Sequence, residues 1–377
     1  MGIGVAIVGC GFVSDLYFST FANHDPLPFE IRGCFDIDSK RSKMVADAYG
    51  CRNYTSYDEI LADPQVDVVL NLTSTASHFE ISNGALRHGK HVYSEKPLAL
   101  KLEEAEALVE LAHEQDLQLV CAPSSVLGPA AQTLIKAVKD EVCGVPRLIY
   151  AEVDDGMIHE LGMEHWKTKS GLTWPAREEF QTGCTLEHAG YALSWLVAMF
   201  GSAKRVVSTA ALLIPERGPE TPEAYSTPDF SCACVEFDNG VIARVTNSIV
   251  APHDHRLRVF CTDGHLELDE LWNFDAKVYS VPLPKTRFKR QLSKRLGYTG
   301  RRALPRVGTT KVSKARQAYN LDFSLGLIDM VTSISQGATP RLAGAFSLHI
   351  TELSLAIQHP DIYGTEYHPK SVVAPIW

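Results

Sequence analysis

The feature that most constrains this chain is a strict alternation of two hydrophobic periods over its first 120 residues. "GVAIVGC" is a continuous run of small and β-branched residues, and "SDLYFSTFANH" after it has helical spacing. The pattern repeats. "FEIRGCFDI", "VDVVLNLT", "KHVYSEK" and "LQLVCA" are strand-like. "SKRSKMVADAYG", "HFEISNGALRHG" and "LEEAEALVELAHEQ" are amphipathic helices, the first two closed by Gly50 and Gly89. Strands apolar on both faces, each followed by a helix, predict a parallel doubly wound sheet.

The pattern changes near residue 123. A helix, "PAAQTLIKAVKD", leads into longer runs: "PRLIYAEV", "AKRVVSTAALLI", "FSCACVEFDNGVIARVTNSIV", "HRLRVFCTDGHLELDE" and "AKVYSV". The "DNG" at 238–240 is a hairpin signal. A second α/β domain with a large, open, mostly antiparallel sheet follows. The expected division is 1–123 and 124–377, which suits a chain of 377 residues. Two late helices, 321–336 and 344–358, close the second domain.

Of the 36 Lys and Arg, 12 lie between Lys285 and Asn320, a stretch with no acid, leaving 24 against 45 acidic residues elsewhere. This segment, 285–320, is a solvated excursion, an oligomer contact or a site for anionic groups such as a nucleotide-sugar diphosphate. The acidic remainder would repel nucleic acid. No stretch approaches the ~18–20 apolar residues of a membrane span. The apolar N-terminus lacks a basic n-region and reads as a buried strand. Nine cysteines without a CxxC pair suit a reduced, cytoplasmic setting.

"VAIVGCGFVS" places Gly9 and Gly11 after the first strand, with Ser14 at the third position of a GxGxxG pattern. Gly9 permits a tight turn, Gly11 lets backbone approach a pyrophosphate, and the next helix offers free N–H groups and a positive dipole end. Asp36 ends the second strand, where a carboxylate accepts hydrogen bonds from an adenosine ribose and repels a 2′-phosphate. NAD is therefore favoured over NADP, although Ser39, Lys40 and Arg41 soften the preference. The alternative is a pair of glycines serving only a turn. In "GKHVYSEKPLAL", Lys96 follows a strand and precedes Pro97, which holds it extended at the carboxyl end of the sheet. Such a lysine is either a surface residue or, with a lowered pKa beside a nicotinamide, a proton shuttle or hydrogen-bond donor.

These motifs, together with "HFEISNGALRHGKHVYSEKP" and "GCTLEHAGYALSWLVAMFG", resemble the glucose–fructose oxidoreductase/inositol dehydrogenase/MocA family. The resemblance covers the first 125 residues well and the rest in patches, mainly 183–201 and "AFSLHITELSLAIQ". It implies a Rossmann domain and an α/β domain whose open sheet makes homodimer or homotetramer contacts. It also implies a dinucleotide with its nicotinamide in the interdomain cleft, and sugars, polyols or phosphate- or nucleotide-linked sugars as substrates. Gly9, Gly11, Phe12, Val13, Asp36, Thr73, Ser74, His78, Glu95 and Lys96 would surround the cofactor, and Lys96 takes the place of the catalytic lysine. The chain departs from the family twice. Ser74-Thr75 replaces the usual Pro-Asn turn. Where many members carry Asp-x-Gly-x-His, this chain reads His188-Ala189-Gly190-Tyr191-Ala192.

Ala192 moves no proton. His188 lies one helical turn earlier on the same face and titrates near neutrality, so it can share acid–base work with Lys96, with Tyr191 supplying a phenol. Glu187 points about 100° away, leaving its place in the cleft open. Alternatively, these residues form a satisfied network at a helix start. The preceding "DDGMIHELGMEHWKTKSGLTWP" offers His159, His165 and Trp166 as substrate contacts. His159, His165 and His188 match no compact metal motif, so no metal is expected, and "HDH" at 253–255 reads as a polar turn. The expected function is an NAD-dependent oxidoreductase acting on a secondary alcohol of such a sugar. The alternatives are a redox-neutral enzyme with tightly held NAD and a non-catalytic dinucleotide sensor.

Overall fold

The computed structural model describes residues 2–223, 225–296, 299–308 and 321–376. The first sheet joins β1 (Ile3–Val8), β2 (Phe29–Phe35), β3 (Val68–Asn71), β4 (His91–Ser94) and β5 (Leu119–Cys121), all parallel, in the order β2-β1-β3-β4-β5. Helices α1 (Phe12–Phe21), α2 (Ser39–Tyr49), α3 (Tyr57–Ala62), α4 (His78–Arg87) and α5 (Leu102–Glu114) connect these strands or follow them. Val5, Ile7, Val68, Leu70, Val92 and Tyr93 are fully buried, as expected of strands covered on both faces. Strand order reverses between β1 and β3, so their carboxyl ends open a crevice where ligands bind in such sheets.

After α6 (Pro129–Lys139) the chain builds a nine-stranded sheet. Its strands are β6 (Pro146–Asp154), β7 (Ala203–Ala211), β8 (Phe230–Phe237), β9 (Ile242–Ser248), β10 (Leu257–Cys261), β11 (Gly264–Leu268), β12 (Tyr279–Pro282), β13 (Arg302–Ala303) and β14 (Glu366–Tyr367). They lie in the order β13-β12-β11-β10-β6-β9-β8-β7-β14. Every pairing is antiparallel except β6 with β9. Between β6 and β7 run α7 (Ala176–Thr182) and α8 (Cys184–Phe200), and the chain later adds α9 (Arg287–Leu296), α10 (Leu325–Ser335), α11 (Gly344–Gln358) and α12 (Pro360–Tyr363). The period-two burial of β7–β9 follows from this arrangement: α8 and α11 cover one face, while the other carries side chains such as Arg244, stacked 4.1 Å over Tyr150.

The two late helices form α10 and α11, and their contacts reach beyond the second sheet. α11 is apolar on two faces and packs against both α8 and α5, and its Ser347 hydroxyl accepts from the backbone N–H of Cys121 at the end of β5, 2.9 Å away. The described part of the basic segment holds α9 and β13, with Lys285 paired to Asp263 at 2.6 Å and Arg306 to Asp275 at 2.5 Å. Residues 297–298 and 309–320 of that segment lie outside the described residues. Asp263 is in the β10–β11 turn, at the end of the sheet opposite the carboxyl end of β6, so α9 begins far from the cleft.

Candidate functional site

The turn after β1 is shaped for close approach. Gly9 has φ of 96°, and a Cβ there would sit 2.4 Å from the carbonyl oxygen of Leu72, so only glycine fits. At Gly11 a Cβ would meet nothing within 4 Å, which leaves open space above the N-terminus of α1. No side chain caps that helix, so the N–H groups of Phe12 and Val13 face the opening, while Ser14 N–H turns back onto Gly11 O at 3.1 Å. Asp36 closes the far side. One carboxylate oxygen accepts from Cys10 N at 2.7 Å, the other from Asp38 N at 2.8 Å, and the side chain stays partly exposed. This cradle fits a dinucleotide: room at Gly11 for a pyrophosphate, donors at Phe12 and Val13, a carboxylate at Asp36.

On the β3 side, Thr73 and Ser74 lie on the crevice rim. Asn71, which the sequence did not single out, accepts from Thr73 Oγ1 at 2.7 Å and donates to His78 O and Ser82 Oγ. His78 is buried, with Nδ1 2.6 Å from Pro97 O and Nε2 3.1 Å from Thr73 O. Burial lowers its pKa, and a neutral ring donates from one nitrogen only, so it hydrogen-bonds to one of these carbonyls while packing between the Thr73 turn and the Lys96-Pro97 turn rather than facing the crevice.

Lys96 leaves the end of β4 and reaches α8, where its ammonium pairs with Glu187. Their side chains are 19% and 5% exposed. Glu187, a candidate substrate contact whose place in the cleft the helical spacing left open, therefore sits on the lysine. Glu95 is buried beside them, accepting from Tyr17 Oη at 2.7 Å and from Lys96 N at 3.2 Å. One reading of Lys96 gave it a lowered pKa; the charges around it work in the other direction. Burial does oppose the charge, but the neighbouring carboxylates, Glu187 foremost, outweigh it and hold Lys96 well above its ordinary range. Glu179 on α7 is a further site residue missed in the sequence. Burial and the charge of Glu187 raise its pKa well above the carboxylate range, so it keeps its proton. Burial also raises the Tyr191 phenol, which therefore stays protonated.

One step along α8, His188 meets Asp155 from the end of β6, with Nδ1 2.5 Å from Oδ2. Asp155 is placed by backbone bonds: its N–H donates to Ser248 O at 2.9 Å, and Asp154 pairs in both directions with Asp254. The "HDH" stretch is thus no simple polar turn. Asp254 closes this bridge, and His255 is buried with Nε2 2.8 Å from Asp155 Oδ1. Its Nδ1 donates to Glu270 Oε1 at 2.9 Å, and His253 Nε2 lies 2.9 Å from Glu270 Oε2. The rings of His188, Tyr191 and His255 lie 5.4, 5.1 and 4.6 Å from Trp272.

The other expected contacts are dispersed. His165 is 84% exposed and faces solvent near Glu164. Trp166 packs on Trp174 at 5.1 Å, and His159 lies near Glu160. Among the described residues, the ligand-type atoms that cluster within 4.8 Å belong to Asp155, His253 and His255 instead. Both ring nitrogens of His255 lie within 2.9 Å of carboxylate oxygens, Nδ1 in a hydrogen bond with Glu270 and Nε2 in an ion contact with Asp155. Asp15, in the first turn of α1, accepts from Ser170 N at 2.7 Å and Ser170 Oγ at 2.8 Å. Ser170 lies in a short hairpin closed by the Lys167–Thr173 bridge, so this hairpin is clasped against the cofactor helix.

Residues 3–122 match the family described as an oxidoreductase family with an NAD-binding Rossmann fold, and residues 131–267 match the GFO/IDH/MocA C-terminal domain. The chain is 27% identical over 240 residues to UDP-N-acetylglucosamine 3-dehydrogenase of Acidithiobacillus ferrooxidans, covering 59% of this chain and 73% of that protein. Its fold is similar to levoglucosan dehydrogenase in complex with NADH and levoglucosan (TM-score 0.79, 17% identity, covering 98% and 100% of the two chains). It is also similar to the WlbA dehydrogenase of Bordetella pertussis in complex with NADH and UDP-GlcNAcA (TM-score 0.72, 18% identity, 98% of each chain). The chain belongs to the GFO/IDH/MocA family of NAD-binding oxidoreductases.

Proposed function

We propose that this family member oxidises or reduces a secondary alcohol of a sugar, polyol or nucleotide-linked sugar, using the cleft between Lys96 and His188. The observation that carries this reading is the Lys96–Glu187 ion pair. It joins the carboxyl end of the dinucleotide-binding sheet to the helix that holds His188. The N–H groups of Phe12 and Val13 would take the pyrophosphate, and Asp36 the adenosine ribose. When bound, NAD would supply the two-electron acceptor for the carbinol carbon. Lys96, kept charged by Glu187, donates a hydrogen bond to the substrate oxygen and stabilises negative charge developing there. His188 takes the hydroxyl proton. Asp155 beside Nδ1 favours the tautomer with a proton on Nδ1, which leaves Nε2 basic. Tyr191, protonated, is a further donor. The neighbours that bind a glucose-derived or nucleotide-linked sugar support the substrate class. The test is a screen for NADH formation over free and nucleotide-linked sugars, with wild type against Lys96→Met. Near-normal turnover in the variant refutes the role of Lys96.

A second, redox-neutral reading is favoured by the Asp15–Ser170 clasp, which closes a hairpin over the cofactor helix and would slow exchange of NAD. Its signature is NAD that co-purifies, with product formed and no net NADH.

A further inference from the structure

Behind His188 lies a line of alternating imidazoles and carboxylates. It runs His188–Asp155–His255–Glu270–His253, with successive contacts of 2.5, 2.8, 2.9 and 2.9 Å. It begins in the cleft and ends on His253, whose side chain is 41% exposed. We propose that His255 is a positioning residue: held between Asp155 and Glu270, it keeps Asp155 ionised and aimed at His188, and so sets the tautomer and basicity of the cleft histidine. The proposal rests on the reading of His188 as the proton acceptor.

The argument begins with donors and acceptors. His255 Nδ1 hydrogen-bonds to Glu270 Oε1 at 2.9 Å, and Nε2 lies 2.8 Å from Asp155 Oδ1 as an ion contact, so two carboxylates against one ring favour its doubly protonated, charged form. Burial opposes that charge, but Asp155 and Glu270 outweigh it and raise the pKa of His255 to about 9. Burial likewise opposes ionisation of Asp155, yet His188 and His255 hold it well below the carboxylate range. Asp155 therefore takes up no proton, and the line orients His188 rather than conducting protons. Trp272 packs against the rings of both His188 and His255, at 5.4 and 4.6 Å. Asp155, just after β6, contacts His188, and His255 meets the other oxygen of Asp155; Glu187 and Tyr191 flank His188 on α8, with Lys96 from the end of β4 and Glu179 from α7 gathered around Glu187.

The test uses the full-length protein, 15N-labelled at histidine, with long-range 1H–15N spectra from pH 5 to 9. The expected result is one ring with both nitrogens protonated through pH 8, assigned by its loss in His255→Gln. A second ring, assigned by its loss in His188→Gln, carries its proton on Nδ1 when neutral. In His255→Gln the charge of Asp155 is less compensated, so the His188 midpoint rises by about one pH unit. The wild-type titration and the milder Glu270→Gln, which lowers the His255 midpoint, keep the test open if His255→Gln misfolds. A His255 ring that is neutral at pH 7 overturns the proposal. So does an unmoved His188 midpoint, or stoichiometric zinc in the purified protein bound to the His255 ring. Turnover is a separate readout: full turnover by His188→Gln refutes the acid–base role of His188 and leaves the spectra to judge His255.

Discussion

Replacing Lys96 by methionine separates the structural from the chemical role of the Lys96–Glu187 pair. The pair is largely buried, and removing one partner from a buried pair costs about 3–5 kcal/mol because the other charge is stranded. A stranded carboxylate escapes by taking up a proton, which costs about 1.36 kcal/mol per pH unit above the ordinary glutamate value near 4.3, hence about 4 kcal/mol at pH 7 and about 1 kcal/mol at pH 5. Lys96→Met is therefore destabilised by about 3–4 kcal/mol at pH 7 and much less at pH 5. The double variant Lys96→Met/Glu187→Leu removes both charges and recovers most of the loss. Urea unfolding of the three proteins at both pH values measures this, and isothermal titration with NAD checks that the cradle is intact. Turnover follows a different course: it falls by about 10²–10⁴-fold in the single variant and is not restored in the double. A single variant as stable as wild type at pH 7, or a double variant that regains turnover, would refute the reasoning.

Asp36→Asn keeps an acceptor for Cys10 N but removes the negative charge, so preference for NAD over NADP falls by about tenfold, or ~1.4 kcal/mol, in paired binding titrations. Asp15→Asn weakens the clasp on Ser170; NAD dissociates faster in stopped-flow fluorescence and less of it co-purifies, whereas an unchanged rate removes the clasp from cofactor retention. His349 is buried with Nε2 accepting from Ala203 N at 2.9 Å, which requires a neutral ring, and burial lowers its pKa to about 4. The unfolded chain then binds the extra proton first, so stability is complete above pH 6.5 and falls as pH drops towards 4, by about 2 kcal/mol at pH 5. His349→Gln flattens that dependence in urea unfolding, and a slope equal to wild type would exclude His349 as its source.

The cofactor cradle was legible because its requirements are local. Gly9, Gly11 and the start of α1 lie within one turn of chain, and each residue type follows from one backbone need. The first sheet was legible for a similar reason: strands covered on both faces leave continuous apolar runs. The polar half of the cleft was not. Asp155 follows β6 and His255 precedes β10, 100 positions later. Only the antiparallel pairing of β10 with β6 brings them together. Period-two patterning identifies both strands but says nothing about which neighbours they choose. The place of Glu187 was left open for another reason. Helical spacing places it about 100° from His188, but the cleft is wide enough to take both side chains, with Lys96 on one and Asp155 on the other. One sequence signal existed for His255: a histidine among acids directly before an apolar strand is where a buried imidazolium would find partners.

The departures at 188 and 192 gain a physical interpretation from these partners. The resemblance implies an aspartate and a histidine one turn apart on a single helix. Here the helix supplies the histidine at 188, and the carboxylate comes from the sheet at Asp155. An acid–imidazole pair is present in the cleft, built from two elements instead of one. The change has a cost and a remedy. A carboxylate at the end of β6 is buried and needs more than one neutral partner to stay ionised. His255, itself held by Glu270, supplies the second charge. Ala192 is then an ordinary core residue, fully buried. On this argument a histidine restored at 192 would crowd packed apolar side chains. Ala192→His should therefore lower stability without raising turnover, and a gain in turnover would show that the helix alone can still carry the acid–base pair.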